Sequence, residues 1–101
     1  MRYLEVFELR TAQENHSALV QYLSEWMEQV KADKKLHSIK IYKHVDFETD
    51  FSIHLHHEVK LINSDLRGIS PFPLGELLKN GLKEFGLVNH SVWNEQYQKH
   101  K

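Results

Sequence analysis

The chain contains no cysteine. Disulfide bridges, thiolate zinc sites and a cysteine nucleophile are therefore excluded, and packing alone must hold the fold together. No apolar run exceeds two or three residues, whereas a transmembrane helix needs roughly 20. The first ten residues, MRYLEVFELR, also lack the apolar core and the cleavage site of a signal peptide. We therefore expect a cytoplasmic protein that makes no contact with a membrane.

An excess of either charge is also missing. Thirteen Lys and Arg residues face fourteen Asp and Glu residues, and no run of one sign is longer than Lys34-Lys35. Such a chain lacks the basic surface that nucleic-acid binding requires. The four glycines are scattered and form no phosphate-binding loop, and no serine stands in a strand-to-helix elbow. We expect no nucleic-acid partner and no cofactor.

What is present is the composition of an ordinary globular protein, with 41% hydrophobic and 27% charged residues. At this length one domain covering residues 1–101 would bury about two thirds of the surface that its unfolded chain exposes. There is no internal repeat and no low-complexity segment to suggest another organisation.

Hydrophobic periodicity predicts four strands and two helices. Thr11 and Glu14 have the spacing of a capping box, which predicts that the first helix begins there; it should end near residues 33–35. Pro73 suits the first turn of the second helix, and Gly86 suits a left-handed cap at its end. Gly75 and Gly81 weaken that helix by about 1 kcal/mol each relative to alanine. The strands are predicted at residues 3–9, 37–44, 51–61 and 87–97.

The resulting order is β-α-β-β-α-β, which is the ferredoxin-like arrangement of the α+β class. It has a four-stranded antiparallel sheet with both helices on one face. The strands line up as fourth, first, third, second, so the first and third strands are central.

Alternation along each strand predicts which side chains face the helices. In FSIHLHHEVKL, residues 51–61, the apolar positions and His57 should face the helices. Leu4 and Val6 should do so in the first strand, Ile39 and Ile41 in the second, and Val88, His90 and Val92 in the fourth. The opposite, open face is then aromatic and polar, which is typical of an interface. Its expected members are Tyr3, Glu5, Phe7, Tyr42, His54, His56, Trp93 and Tyr97.

Taken together, YLEVFEL, FSIHLHHE and FGLVNHSVW resemble the dimeric α+β barrel superfamily, and in size the antibiotic-biosynthesis-monooxygenase-like members. The resemblance covers nearly the whole chain as a pattern and contains no diagnostic motif. It implies a homodimer that pairs sheet against sheet. It also implies a family that includes cofactor-free oxygenases, haem-binding proteins and isomerases, with the ligand in several members held between sheet and helices. No catalytic residue is carried over from it.

Two places in the sequence suggest a ligand. His57 and His90 should approach the helix-facing layer from either side of the first strand, where His16, Tyr22 and Trp26 would line a pocket with them. Alternatively, these histidines are core residues with satisfied hydrogen bonds. On the open face, His54, His56 and Glu58, with Glu5 beside them, have the chemistry of a metal site. Side chains on a flat strand converge poorly on one ion, which favours a polar interface instead.

Two functions therefore compete. The first is a cofactor-free enzyme or binding protein for a small apolar or aromatic organic molecule, with histidines and tyrosines as proton carriers. The second is a non-catalytic homodimeric module whose aromatic face serves only for dimerisation. A pocket of a few hundred Å³ reaching His57 or His90 favours the first, and a fully packed layer favours the second.

Overall fold

The structure is a computed structural model that describes residues 2–33, 36–58 and 73–96. A single 3-10 turn, Gln13–Asn15, precedes the first α-helix. No helix in these ranges is long and apolar enough to cross a membrane. The elements are β1 (Arg2–Thr11), α1 (His16–Val30), β2 (Leu36–Lys43), β3 (Asp50–Glu58), α2 (Pro73–Leu82) and β4 (Gly86–Asn94).

The four strands form one antiparallel sheet in the order β2-β3-β1-β4. This confirms the predicted ferredoxin-like order, in which the first and third strands are central. The central position of β1 is visible in its register, because Glu5 pairs with Leu55 of β3 on one side and with Val92 of β4 on the other. Three elements far apart in sequence therefore meet at this residue.

Both helices cover the same face of the sheet. The alternation of β3 predicts its inward side chains correctly, since Phe51, Ile53, Leu55 and His57 are all buried. Leu77, which the helical periodicity places on the inner stripe of α2, is instead 63% exposed. The cluster of buried apolar residues comprises Phe7, Leu9, Leu19, Leu23, Trp26, Val30, Phe51, Ile53, Leu55, Leu78 and Leu82.

The prediction for β1 has the wrong face inward. Tyr3, Glu5 and Phe7 were expected on the open face, but they are 4%, 0% and 0% exposed and lie toward the helices. Leu4 and Val6 lie on the open face, opposite His56 and His54 of β3. There are two physical reasons. Tyr3, Phe7 and Leu9 share one side of β1 and are buried together, and the buried carboxylate of Glu5 on that side is satisfied by partners from other strands.

The predicted capping box is also wrong. Thr11 belongs to β1, where it pairs with Gly86, and its hydroxyl donates to the carbonyl of Phe85 at 2.7 Å. The N-cap residue of α1 is Asn15, which makes no side-chain capping bond. Thr11 therefore anchors the start of β4 rather than the start of a helix, because its hydroxyl is hydrogen-bonded to Phe85, 74 residues later in the chain.

Gly86 does not provide the left-handed cap that the sequence suggested. It is the first residue of β4, and no left-handed backbone angle accompanies it. Its lack of a side chain matters for a different reason: a Cβ atom there would collide with the carbonyl oxygen of Arg10. Glycine is needed because β1 and β4 approach each other closely at this point.

Candidate functional site: a carboxylate bridging two imidazoles

A buried carboxylate joins two histidines on the helix-facing side of the sheet. Oε1 of Glu5 lies 2.8 Å from Nε2 of His57, and Oε2 lies 2.7 Å from Nε2 of His90. The side chain of Glu5 is completely buried, and those of the two histidines are 2% and 7% exposed. We call these three residues the Glu5 network.

The register of the sheet creates this arrangement. His57 pairs with Tyr3 and His90 pairs with Phe7, so each imidazole sits two residues along the strand from Glu5, in opposite directions. Such diagonal neighbours lie about 7–8 Å apart at the backbone, within reach of long side chains. The His90 ring also stacks on Phe7, with ring centroids 4.4 Å apart and planes 8° from parallel. This stacking orients the imidazole toward the carboxylate.

Helix α2 closes the network from above. A Cβ atom on Gly75 would collide with both carboxylate oxygens of Glu5, so the carboxylate lies directly against the first turn of the helix. The amide groups of a first turn have no intrahelical acceptor and carry partial positive charge, which favours a nearby negative charge. Gly75, which lowers the helix propensity of α2, thus leaves the space that the carboxylate occupies.

The network is suited to holding and exchanging a proton. When both Nε2 atoms donate to an ionised Glu5, the three side chains carry a net charge of −1. One further proton on either imidazole brings the net charge to zero. A carboxylate that orients an imidazole and stabilises its cationic form is a recurrent arrangement for general acid–base chemistry.

The other residues predicted to line this pocket lie elsewhere. His16 packs its ring against Phe51, 4.9 Å between centroids, and Phe51 is six residues, or about 20 Å, along β3 from His57. The Tyr22 hydroxyl lies against Gly81, about 9 Å along α2 from Gly75. Trp26 belongs to the apolar core of α1. Only His57 and His90 of the predicted set are brought together.

Glu5 and Gly75 are the members of the site that sequence reasoning missed. Glu5 was assigned to the open face, and Gly75 was interpreted only as a weak point of a helix. A signal for Glu5 was nevertheless present. Two histidines predicted to flank the first strand on its buried side need hydrogen-bond partners, and Glu5 is the acidic residue of that strand that lies between them.

The open face of the sheet carries the remaining predicted interface residues. Tyr42 and Trp93 are 47% and 60% exposed, and His54 and His56 lie between them on β3, half-buried. Tyr97 lies outside the described residues. From β1, this face receives Leu4, Val6, Glu8 and Arg10 in place of the residues predicted there.

Both open-face histidines have lowered pKa values. Burial is the main reason that the pKa of His54 falls, and the nearby ammonium of Lys40 lowers it further while Glu8 raises it. Burial is likewise the first reason that the pKa of His56 falls, followed by the charges of Lys40, His54 and His37, against Glu95. Each imidazole is therefore held toward its neutral form.

The metal-site alternative gains no support from the geometry of the open face. The rings of His54 and His56 are 6.5 Å apart between centroids, and His54 is instead within hydrogen-bond distance of the Ser52 hydroxyl, at 2.8 Å. Glu58 lies 3.9 Å from His37. Within the three described ranges, no group of three or more metal-ligating side chains is placed to hold an ion.

A cleft of about 450 Å³ opens at the end of the sheet nearest the network. His57, Tyr3, His56 and Trp93 are among the residues that line it. A second cleft of about 470 Å³ lies at the opposite end, beside Arg10 and Asp50. The first cleft has the volume of a small-molecule site and reaches one member of the Glu5 network.

Comparisons with known proteins identify the fold. No protein-family model matches the chain, and no curated protein matches its sequence. Solved structures do match along nearly the whole chain. Rv0793 from Mycobacterium tuberculosis is 14% identical, with a TM-score of 0.71 and coverage of 99% of this chain and 100% of that one.

Two further structures show the same likeness. A conserved protein from Methanosarcina mazei Go1 has a TM-score of 0.72 at 7% identity and covers 95% of this chain and 94% of its own. An antibiotic biosynthesis monooxygenase-like protein from Deinococcus radiodurans has a TM-score of 0.70 at 12% identity, with 98% and 97% covered. The chain thus has the fold of antibiotic biosynthesis monooxygenase-like proteins. At these identities the likeness concerns the fold.

Proposed function

We propose that this protein is a homodimer that binds a small apolar or aromatic organic molecule between its sheet and its helices, and that the Glu5 network exchanges a proton with that molecule. The observation that carries the proposal is the fully buried carboxylate held between two imidazoles. A protein is often at least as stable when apolar residues of similar volume replace such a buried ionic group. A titratable group buried against specific partners is therefore a functional-site candidate.

Proton exchange would consist of two proton transfers, removal of a proton from the ligand and its return. A neutral imidazole of the network takes a proton from a weakly acidic C–H group of the ligand, and the ligand keeps the bonding electron pair as an anion. The Glu5 carboxylate offsets the charge of the resulting imidazolium. Return of the proton to the same or another atom of the ligand restores the network. The cleft beside His57 supports access from that side.

Binding can be tested by thermal unfolding in the presence of aromatic acids, quinones and haem. A ligand at about 100 times its Kd raises the free energy of unfolding by about 2.7 kcal/mol, which corresponds to roughly 10 °C or more for a domain of this size. We expect such a shift with at least one of these compound classes. No shift with any of them would contradict the binding part of the proposal.

Proton exchange has its own assay. In D₂O, the protein should accelerate the replacement of an acidic C–H proton of the bound compound by deuterium, followed by NMR of the compound. Glu5→Gln retains the shape of the side chain and removes its charge, so it should abolish the acceleration. Glu8→Gln, on the exposed side of the same strand, is the matched control and should have no effect. Equal exchange rates in the wild type and Glu5→Gln would refute the role of the network.

The homodimer is supported by the open face, on which Leu4, Val6 and Trp93 lie together and which no helix of residues 2–33, 36–58 and 73–96 covers. Val6→Glu places a charge at its centre, and burying an unpaired carboxylate costs several kcal/mol. Light scattering should show the wild type at twice the 12.0 kDa of one chain, and Val6→Glu at 12.0 kDa. Val20→Glu, on the exposed side of α1, should remain a dimer. A monomeric wild type at micromolar concentration would contradict the proposal.

A second candidate function is a non-catalytic dimerisation module. It is favoured by the fact that each imidazole of the network already has a carboxylate partner inside the protein, so neither needs a ligand for satisfaction. In this case no compound shifts the thermal unfolding and no C–H exchange is accelerated, whereas Val6→Glu still separates the subunits.

A further inference from the structure

We infer that Gly75 is the positioning residue of the Glu5 network: the missing side chain at this point of α2 is what allows one carboxylate to bridge both imidazoles. The inference rests on the same network as the proposed function and assigns a role to a residue outside it.

The first step of the argument is steric. A Cβ atom at Gly75 would occupy the space of both carboxylate oxygens and the carboxyl carbon of Glu5. A flexible side chain could normally swing away from such a contact at little cost. Here it cannot do so freely, because Glu5 is 0% exposed and its two oxygens are engaged by His57 and His90. Any displacement of the carboxylate lengthens at least one of these two bonds.

The second step is electrostatic. Gly75 lies in the first turn of α2, which begins at Pro73. Direct contact between the carboxylate and this turn brings the negative charge to the positive end of the helix. A side chain at position 75 would therefore move the carboxylate away from the helix as well as away from the imidazoles.

The other glycine of the helix provides a matched control. A Cβ atom at Gly81 would collide with the hydroxyl of Tyr22. That hydroxyl ends a half-buried side chain at the opposite end of α2, and its ring can tilt to relieve the contact without touching the network. Both substitutions to alanine bring the same gain in helix propensity, so a difference between them reports on the Glu5 contact.

NMR of the histidine side chains provides the test, and it needs no ligand. In the wild type, the Nε2–H groups of His57 and His90 should give hydrogen-bonded signals that Glu5→Gln alters. Gly75→Ala should shift or abolish both signals, and Gly81→Ala should leave both in place. Unchanged signals in Gly75→Ala would overturn the inference.

A compensating variant keeps the test decisive if Gly75→Ala folds poorly. Glu5→Asp shortens the side chain and should relieve the collision with Ala at position 75. The loss of stability in the double variant should therefore be smaller than the sum of the two single losses. Additive losses would contradict the inference. If the NMR and stability results hold while no compound binds, the proposed function fails and the role of Gly75 stands.

Discussion

Glu5 affects both the stability of this protein and its proposed chemistry. A carboxylate with 0% exposure would be strongly destabilising if it were alone, because transfer of a charge out of water costs several kcal/mol. Two imidazoles and the first turn of α2 offset this cost. The same contacts that make the buried charge tolerable also hold a proton acceptor and a proton donor at hydrogen-bond distance, as the proposed function requires.

Removal of the carboxylate should therefore be costly. Glu5→Ala leaves two buried imidazoles without their shared partner, and we expect the free energy of unfolding to fall by about 3–5 kcal/mol. Glu5→Gln should cost less, because its amide can still bond both rings after a change of tautomer. Urea unfolding at fixed protein concentration measures both changes.

Glu8→Ala is the control for this comparison, because the side chain is on the same strand but exposed. Its effect should stay within about 0.5 kcal/mol. If Glu5→Ala were as stable as the wild type, the hydrogen bonds of the network would not contribute to the fold.

Among the helices and strands, three glycines in and after α2 determine how closely α2 and β4 approach β1 and how closely α2 approaches α1. Gly75 admits the Glu5 carboxylate, Gly81 admits the Tyr22 hydroxyl and Gly86 admits the Arg10 carbonyl. The contacts differ in how easily they can be relieved. The Tyr22 ring can tilt away from an added methyl group. The Glu5 carboxylate can move only by breaking its hydrogen bonds, and the Arg10 carbonyl, in a central strand, can move only with the strand.

Gly86→Ala should accordingly disturb the pairing of β4 with β1. The added methyl group meets the backbone of Arg10 and Thr11, and the adjacent hydrogen bond from Thr11 to the Phe85 carbonyl lies in the same turn. We expect a loss of about 1–3 kcal/mol in the free energy of unfolding, together with faster amide exchange at the start of β4.

Leu87→Ala is the matched control, because the Leu87 side chain is 75% exposed and its replacement removes no core contact. It should be nearly neutral in the unfolding measurement. A neutral Gly86→Ala would show that β4 can shift away from β1 without loss, contrary to the close approach seen here.

In the molecule as a whole, the two faces of the sheet carry different groups. The helix-facing side holds the apolar core and the Glu5 network. The open side holds two half-buried histidines beside Lys40, with Val6 and Leu4 next to them on β1. In the proposed dimer these groups would be brought against their copies from the second subunit, so additional positive charge on this face would be unfavourable.

The lowered pKa values of His54 and His56 predict acid sensitivity. The unfolded chain takes up these protons near the ordinary histidine value of 6.5, and the folded chain takes them up only at lower pH. The stability contributed by the neutral imidazoles is therefore fully present above pH 6.5 and is lost as the pH falls through the lowered pKa values. Urea unfolding and light scattering from about pH 8 to about pH 5 should show this loss.

The double variant His54→Gln, His56→Gln separates this effect from that of the other histidines. It should have a flatter dependence of stability and mass on pH than the wild type over the same range. An identical dependence in the two proteins would assign the acid sensitivity to another group. The groups facing these imidazoles, namely Lys40, Tyr42, Glu8, His37 and Glu95, remain unchanged in the variant.

The order of the helices and strands, and through it the order of the strands in the sheet, follows from the sequence alone. Periodicity also indicates the correct inward residues of β3, one face of which is clearly more apolar, and of β4, whose two faces differ less. These are local properties, readable from side chains two to four residues apart. The aromatic members of the open face on β2 and β4 could be predicted for the same reason.

The face of β1 that is buried and the composition of the site depend instead on long-range contacts. The two faces of β1 are nearly equal in apolar character, and the deciding contacts of Glu5 lie 52 and 85 residues away in the chain. A carboxylate is read as exposed until its partners are known, since an unpartnered charge does not survive burial. The role of Gly75 cannot be predicted from the sequence for a related reason. The space left by its missing side chain is filled by a group of a different element, the Glu5 carboxylate of β1.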